Sequence, residues 1–94
     1  MTDPLKQLHA IVHGRVQGVY FRQHTVQVAR DVGARGWVCN LPDGTVEVMA
    51  VGTQAQINRL MTFLQEGPPA AQVTGLETEY ITPVQSFSGF HVRH

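Results

Sequence analysis

The segment from Gly14 to Arg22, with the sequence GRVQGVYFR, combines the features of an anion-binding site. Gly14 and Gly18 tolerate backbone angles that clash for other residues, so the chain can curl there and direct several amide N–H groups at one point. The helix predicted just behind the loop adds partial positive charge at its N-terminus. Arg22, in the first turn of that helix, carries a planar guanidinium suited to phosphate. The segment therefore predicts a binding site for a phosphoryl group.

Periodicity and turn residues predict the elements that must position this segment. Strands are expected over 6–13, 35–40, 45–51 and 73–81, with a short edge strand over 90–93. Helices are expected over 21–32, ending at Gly33, and over 53–66, where Thr53 and Gln56 match a capping box. The βαββαβ order predicts an α+β, ferredoxin-like sandwich with both helices on one face of a four-stranded antiparallel sheet.

Composition indicates one small globular domain over residues 1–94. Apolar residues make up 43% of the chain and charged residues 15%, and the formal net charge is zero. The single cysteine, Cys39, excludes an internal disulfide and favours a reducing compartment. No apolar run approaches the ~20 residues of a membrane span, and the first residues lack a signal-peptide core. We therefore expect a cytoplasmic monomer that does not contact membranes.

Two motifs together resemble the acylphosphatase family. The first is GRVQGVYFR at 14–22, and the second is GWVCNLPDGTVE at 36–47. The short length and the βαββαβ order are also similar, so the resemblance covers essentially the whole chain. It implies hydrolysis of acyl phosphates to a carboxylate and inorganic phosphate, without metal or organic cofactor. It also implies that the glycine loop and Arg22 bind phosphate and that Asn40 positions the attacking water.

Acyl phosphates have a good leaving group, so the expected barrier is mainly positioning and charge on the phosphoryl oxygens. The expected phosphate donors are the amides of Arg15, Val16, Gln17, Gly18, Val19 and Tyr20. Asn40 is neutral, so we expect it to orient water while a substrate phosphate oxygen takes the proton. Thr45, just past the turn, is expected to hydrogen-bond Asn40 and fix its rotamer.

Each of these residues also has a purely structural interpretation. A glycine loop often only connects a strand to a helix, a helix arginine is commonly solvated, and asparagine often ends a strand before a turn. The joint presence of the loop, Arg22 and the second motif favours catalysis. Gln17 is expected to shape the loop, and Cys39 to point away from Asn40.

The sequence offers two alternatives to catalysis, binding of a phosphorylated metabolite without turnover and binding of single-stranded nucleic acid, of which the second is not expected. A domain of this fold can hold a phosphorylated metabolite without turnover, although a pure binder has no need of a water-orienting Asn40. Single-stranded nucleic acid would require aromatic and basic residues on the open sheet face, where the central strands instead offer His9, Ile11, His13, Glu47, Met49 and Val51. The histidines lack the spacing of metal ligands, so no metal site is expected. Whether His13 or Trp37 tunes the pocket stays undetermined.

Overall fold

The computed structural model describes residues 3–94 and contains five strands and two helices. In chain order these elements are β1 (Lys6–Arg15), α1 (Phe21–Val32), β2 (Arg35–Asn40), β3 (Val46–Gly52), α2 (Gln54–Glu66), β4 (Gln72–Tyr80) and β5 (Phe90–Val92). The predicted α+β sandwich is confirmed. No helix of the described residues is long and apolar enough to cross a membrane.

The sheet has the strand order β4-β1-β3-β2-β5. Its first four strands pair antiparallel, as the sequence predicts. After β4 the chain returns across the sheet to its opposite edge, so β5 pairs parallel with β2. The sheet is therefore five-stranded and mixed, because the predicted edge strand joins it in the parallel direction.

Alternation along the strands assembles the core on the helix-covered face. Leu8, Ala10 and Val12 of β1 are fully buried, whereas His9 and Ile11 between them stay partly exposed. Both helices bury one apolar side against this face, α1 through Phe21, Thr25, Ala29 and Val32, and α2 through Ile57, Leu60 and Leu64. Each large apolar side chain buried in this way contributes about 1.5–3 kcal/mol.

The opposite face is open only in part. At one end Gln7 is 1% exposed; its Nε2 donates to Gln85 Oε1 at 3.0 Å, and the Gln85 amide donates to Gln7 Oε1 at 2.7 Å. This reciprocal pair fixes the segment after β4 over the sheet, and Val51 on the same face is buried. The expectation of a wholly open face is therefore wrong at this end. From the sequence alone, Gln7 does not indicate that the segment after β4 covers this end of the sheet.

Candidate active site

The connection between β1 and α1 is shorter than the sequence predicts, because β1 continues to Arg15. A bulge between His13 and Gly14 shifts the pairing of β1 with β4. Gly14 has φ +120°, and a Cβ there would lie 2.1 Å from the Gln72 carbonyl oxygen. Gly14 is thus needed for the close approach of β4 rather than for curling the loop, which spans 16–20.

Two residues with positive φ curl this loop. Gly18 has φ +74°, and no atom lies within 4 Å of a Cβ placed there. Tyr20 has φ +62° and is the single non-glycine residue with positive φ in residues 3–94. Its carbonyl oxygen accepts from the His24 amide at 3.1 Å and lies 2.9 Å from the His24 ring Nδ1. These contacts hold Tyr20 in a conformation that costs an L-residue about 1–2 kcal/mol.

The amides of the loop and of the first helical turn have no protein acceptor. No side chain caps α1, and the amides from Val16 through Gln23 donate to no acceptor within residues 3–94. The first amides of any helix lack intrahelical partners, and here the preceding loop adds more free donors. Such a group of N–H donors at a helix N-terminus favours an anion.

Arg22 and Asn40 meet at a cavity of about 280 Å³ beside this loop. Within residues 3–94 the Arg22 guanidinium forms no hydrogen bond or ion pair, so its donors are free. Asn40 is the last residue of β2, and its Oδ1 is the one buried side-chain oxygen or nitrogen of the described residues that lacks a partner. The cavity is lined by Val16, Gln17, Gly18, Tyr20, Phe21, Arg22, Gln23 and Asn40.

Most of the predicted site residues are brought together here, and two are not. Arg15 pairs with Gln72 at the end of β1, and it does not line the cavity. The Val19 side chain is 5% exposed and belongs to the hydrophobic core, whereas its amide, like those of its neighbours in the loop, has no acceptor within residues 3–94. The sequence does not distinguish Arg15 from the loop residues, because the bulge that lengthens β1 depends on β4.

Gln17 links the loop to the turn that follows Asn40. Its Nε2 donates to the carbonyl oxygens of Leu41 and Thr45, each at 2.8 Å. The expectation that Gln17 shapes the loop is confirmed by these contacts. The Gln17 side chain thus connects the loop at 16–20 to the turn beside Asn40.

The predicted hydrogen bond between Thr45 and Asn40 is wrong. The Thr45 hydroxyl donates to Asp43 Oδ1 at 2.6 Å, and the Thr45 amide donates to the same oxygen at 3.0 Å. These two bonds lower the pKa of the Asp43 carboxyl, the hydroxyl bond most strongly. An Asx-type turn satisfies Thr45 locally, so the Asn40 amide oxygen is left without a partner.

A second cavity, of about 270 Å³, adjoins the first and shares Arg22 and Asn40 with it. Its other lining residues are Cys39, Leu41, Glu47, Arg93 and His94. Burial raises the pKa of the Cys39 thiol, as do the charge of Glu47 and the hydrogen bond to it. A thiol held protonated in this way is a poor nucleophile.

The histidines of the sheet face pair with carboxylates across the strands, which the sequence did not predict. His9 Nε2 lies 2.7 Å from Glu47 Oε2, and its Nδ1 lies 3.5 Å from Glu79. His13 contacts Glu77. In the described part of the chain, no three His, Cys, Asp or Glu side chains are arranged to hold a metal ion.

The unpaired amides, the Arg22 guanidinium and the unpaired Asn40 oxygen around this cavity of about 280 Å³ are groups of the kind that bind and orient a phosphoryl group. The acylphosphatase family model matches residues 8–92. An acylphosphatase of Pseudomonas paraeruginosa is 50% identical over 92% of this chain and 93% of its own. The structure of an acylphosphatase from Coxiella burnetii superposes with a TM-score of 0.90 at 40% identity, covering 95% of this chain and 93% of that one. The Bacillus subtilis acylphosphatase gives 0.92 at 31% identity, covering 97% and 100%.

The chain therefore belongs to the acylphosphatase family. It is a hydrolase of acyl phosphates, as the two motifs led us to expect. Its fold is that of the acylphosphatases of known structure.

Proposed function

We propose that the loop at 16–20 and Arg22 hold the phosphoryl group of the acyl phosphate. The amides from Val16 through Gln23 have no acceptor within residues 3–94, and those of the curled loop are the donors for the phosphoryl oxygens. Arg22 reaches the same cavity without a competing carboxylate partner in that range. Donors that are already oriented stabilise charge that develops in the transition state without reorganising.

Asn40 orients the attacking water in this mechanism. Its unpaired Oδ1 accepts a hydrogen from the water, which turns a lone pair of the water oxygen toward phosphorus. The water oxygen forms a bond to phosphorus while the bond from phosphorus to the acyl oxygen breaks. The electron pair of that bond leaves with the carboxylate, and a phosphate oxygen takes the water proton. No protein base and no cofactor take part.

The buried, unpaired oxygen of Asn40 is the observation that carries this proposal. An unsatisfied buried acceptor costs about 1–3 kcal/mol, so it is rarely kept without a partner in function. A domain that only binds phosphorylated metabolites explains the free amides and Arg22, but it leaves this oxygen unexplained.

Hydrolysis of benzoyl phosphate in metal-free buffer tests the proposal. The wild type is expected to turn over, Arg22→Ala to lose at least about 100-fold in kcat/KM, and Asn40→Ala to lose chiefly kcat. Arg59→Ala is the matched control, because Arg59 is an exposed arginine on α2 away from both cavities. An inactive wild type that still binds phosphate would favour the non-catalytic alternative, and full activity in both site variants would refute the site.

We also propose that the protein acts as a monomer in the cytoplasm. The single cysteine, which excludes an internal disulfide, supports a reducing compartment. Sedimentation analysis at working concentration is expected to give the mass of one chain. A dimer whose dissociation abolishes activity would contradict it.

A further inference from the structure

The second cavity has a composition that phosphate binding does not explain. It opens beside the phosphate site and shares Arg22 and Asn40 with it, so a group attached to the bound phosphoryl can extend into it. Besides Leu41, its remaining wall carries the polar and charged side chains of Cys39, Glu47, Arg93 and His94. Charged side chains on this wall can recognise a charged acyl group, and a simple alkyl or aryl group makes no use of them.

Arg93 is held in place on this wall. Its main-chain amide donates to the Val38 carbonyl oxygen at 2.9 Å, continuing the pairing of β5 with β2. Its guanidinium carbon lies 4.4 Å from the centre of the Trp37 ring. A guanidinium stacked on an aromatic face keeps the N–H groups of its edge free for an acceptor in its own plane.

No protein carboxylate uses these donors. Within residues 3–94, Arg93 forms no ion pair. Glu47 lies in the same cavity, but its Oε2 is 2.7 Å from His9 Nε2 and its Oε1 is 3.7 Å from the Cys39 sulfur. Arg22 and Arg93 both line this cavity, so its wall carries two guanidiniums and the one carboxylate of Glu47.

We infer that the second cavity receives the acyl group, and that Arg93 selects acyl phosphates whose acyl group carries its own carboxylate. The inference rests on the proposed function, because Arg22 must hold the phosphoryl group at the boundary of the two cavities. The planar guanidinium of Arg93 then binds the distal carboxylate through two parallel hydrogen bonds. Trp37, which packs under the guanidinium, is a positioning residue for this contact.

The test compares succinyl phosphate with butyryl phosphate, which has the same chain length but no distal carboxylate. Rates are corrected for spontaneous hydrolysis. We expect Arg93→Gln to lower kcat/KM for succinyl phosphate about tenfold while leaving butyryl phosphate within about twofold. Arg93→Lys is expected to give an intermediate loss, because it keeps the charge but not the fork. Arg59→Gln is the matched control and is expected to change neither substrate.

A second variant is expected to change kcat/KM for succinyl phosphate in the opposite direction, and a folding defect cannot explain such an increase. Glu47→Gln removes the negative charge of the cavity and is expected to raise kcat/KM for succinyl phosphate about two- to threefold, with no gain for butyryl phosphate. Equal losses on both substrates in Arg93→Gln, or no loss on either, would overturn the inference while the proposed function stands. A wild type inactive on both substrates would instead refute the proposed function, and the inference with it.

Discussion

The two strand-to-helix connections of this protein differ in how they treat the free amides of a helix start. At α2 the Thr53 hydroxyl accepts from the Gln56 amide at 3.2 Å, and the Gln56 side chain accepts from the Thr53 amide at 2.8 Å. At α1 no side chain caps the helix, and Tyr20 is held at positive φ. The capped connection pairs the amides of Thr53 and Gln56, whereas the amides of the uncapped one have no acceptor within residues 3–94 and are available to the proposed ligand.

The start of α1 gives up stability that the start of α2 keeps, and it lies at the proposed phosphate site. A missing N-cap costs about 0.5–2 kcal/mol, and Tyr20 at positive φ adds further strain. A bound anion at the N-terminus of α1 offsets this cost, because anything that binds the folded state alone stabilises it. Departures from local rules concentrate at sites of function.

Arg22→Lys is the change expected to affect the uncapped connection most. A point charge replaces a planar fork, so we expect kcat/KM for benzoyl phosphate to fall about 100-fold. The free energy of unfolding should change little, since Arg22 has no protein partner within residues 3–94. Near wild-type turnover would show that two-point contact with phosphate is not needed.

Asn40→Ala separates catalysis from stability at the same connection. We expect kcat to fall about 100-fold with KM nearly unchanged, because the orientation of water matters in the transition state. Urea unfolding is expected to show no loss of stability, because the Asn40 Oδ1 has no partner to lose. A clear destabilisation with kcat unaffected would assign Asn40 a structural role.

Gln17→Ala tests whether the loop must be tied to the turn after Asn40. The variant loses two hydrogen bonds, to the carbonyl oxygens of Leu41 and Thr45. We expect about 1–2 kcal/mol less stability and roughly tenfold lower kcat, because the loop and Asn40 move apart. Gln27→Ala is the control, since Gln27 makes only an exposed bond to Asp31. If Gln17→Ala and Gln27→Ala had the same kcat and the same free energy of unfolding, the two hydrogen bonds of Gln17 would not be needed to hold the loop beside Asn40.

Thr53→Ala is the matched test at the capped connection. Loss of the cap is expected to lower the free energy of unfolding by about 1 kcal/mol. Turnover of benzoyl phosphate should stay within about twofold, because Thr53 is remote from both site cavities. A large loss of kcat in this variant would contradict the expectation that the start of α2 contributes to stability and not to activity.

Asp43→Asn gives the smallest expected effect, and it appears only in acid. Hydrogen bonds from Thr45 lower the pKa of Asp43 in the folded protein. Its contribution to stability is therefore present above the ordinary aspartate pKa of about 3.9, and it is lost as pH falls through the lower folded value. In urea unfolding, the advantage of the wild type over the variant should shrink below about pH 4. An advantage that grows in acid would contradict the direction of the pKa shift.

Much of the fold was predictable because its signals are local. The capping box at Thr53, the helix end at Gly33 and the tight turn at Asp43-Gly44 each depend on residues within a few positions of one another. The errors in the fold involve distant partners. From the sequence, Gly14 is interpreted as a loop glycine, but its role depends on the close approach of β4. Gln7 is interpreted as an ordinary strand residue, but its burial depends on pairing with Gln85.

The residues of the candidate site also differ in whether the sequence alone could predict their part in it. Arg22 and Asn40 stand in motifs that the sequence displays, so their part in the site could be predicted without coordinates. The proposed role of Arg93 could not be predicted from the sequence, because it depends on the Trp37 ring beneath the guanidinium and on the cavity that Arg93 shares with Arg22. The Thr45 prediction failed for a local reason instead, because the Thr45 hydroxyl donates to Asp43, two residues before it.

By itself, the amino-acid sequence determined the order of elements and the family to which the chain belongs, since these follow from spacing and short motifs. Tertiary structure alone decided that β5 runs parallel to β2, that Gln17 ties the loop at 16–20 to the turn after β2, and that the Asn40 oxygen is buried without a partner among residues 3–94. The reason is that pairing, burial and unsatisfied hydrogen bonds are properties of groups far apart along the chain. They exist only once the sheet has brought those groups together.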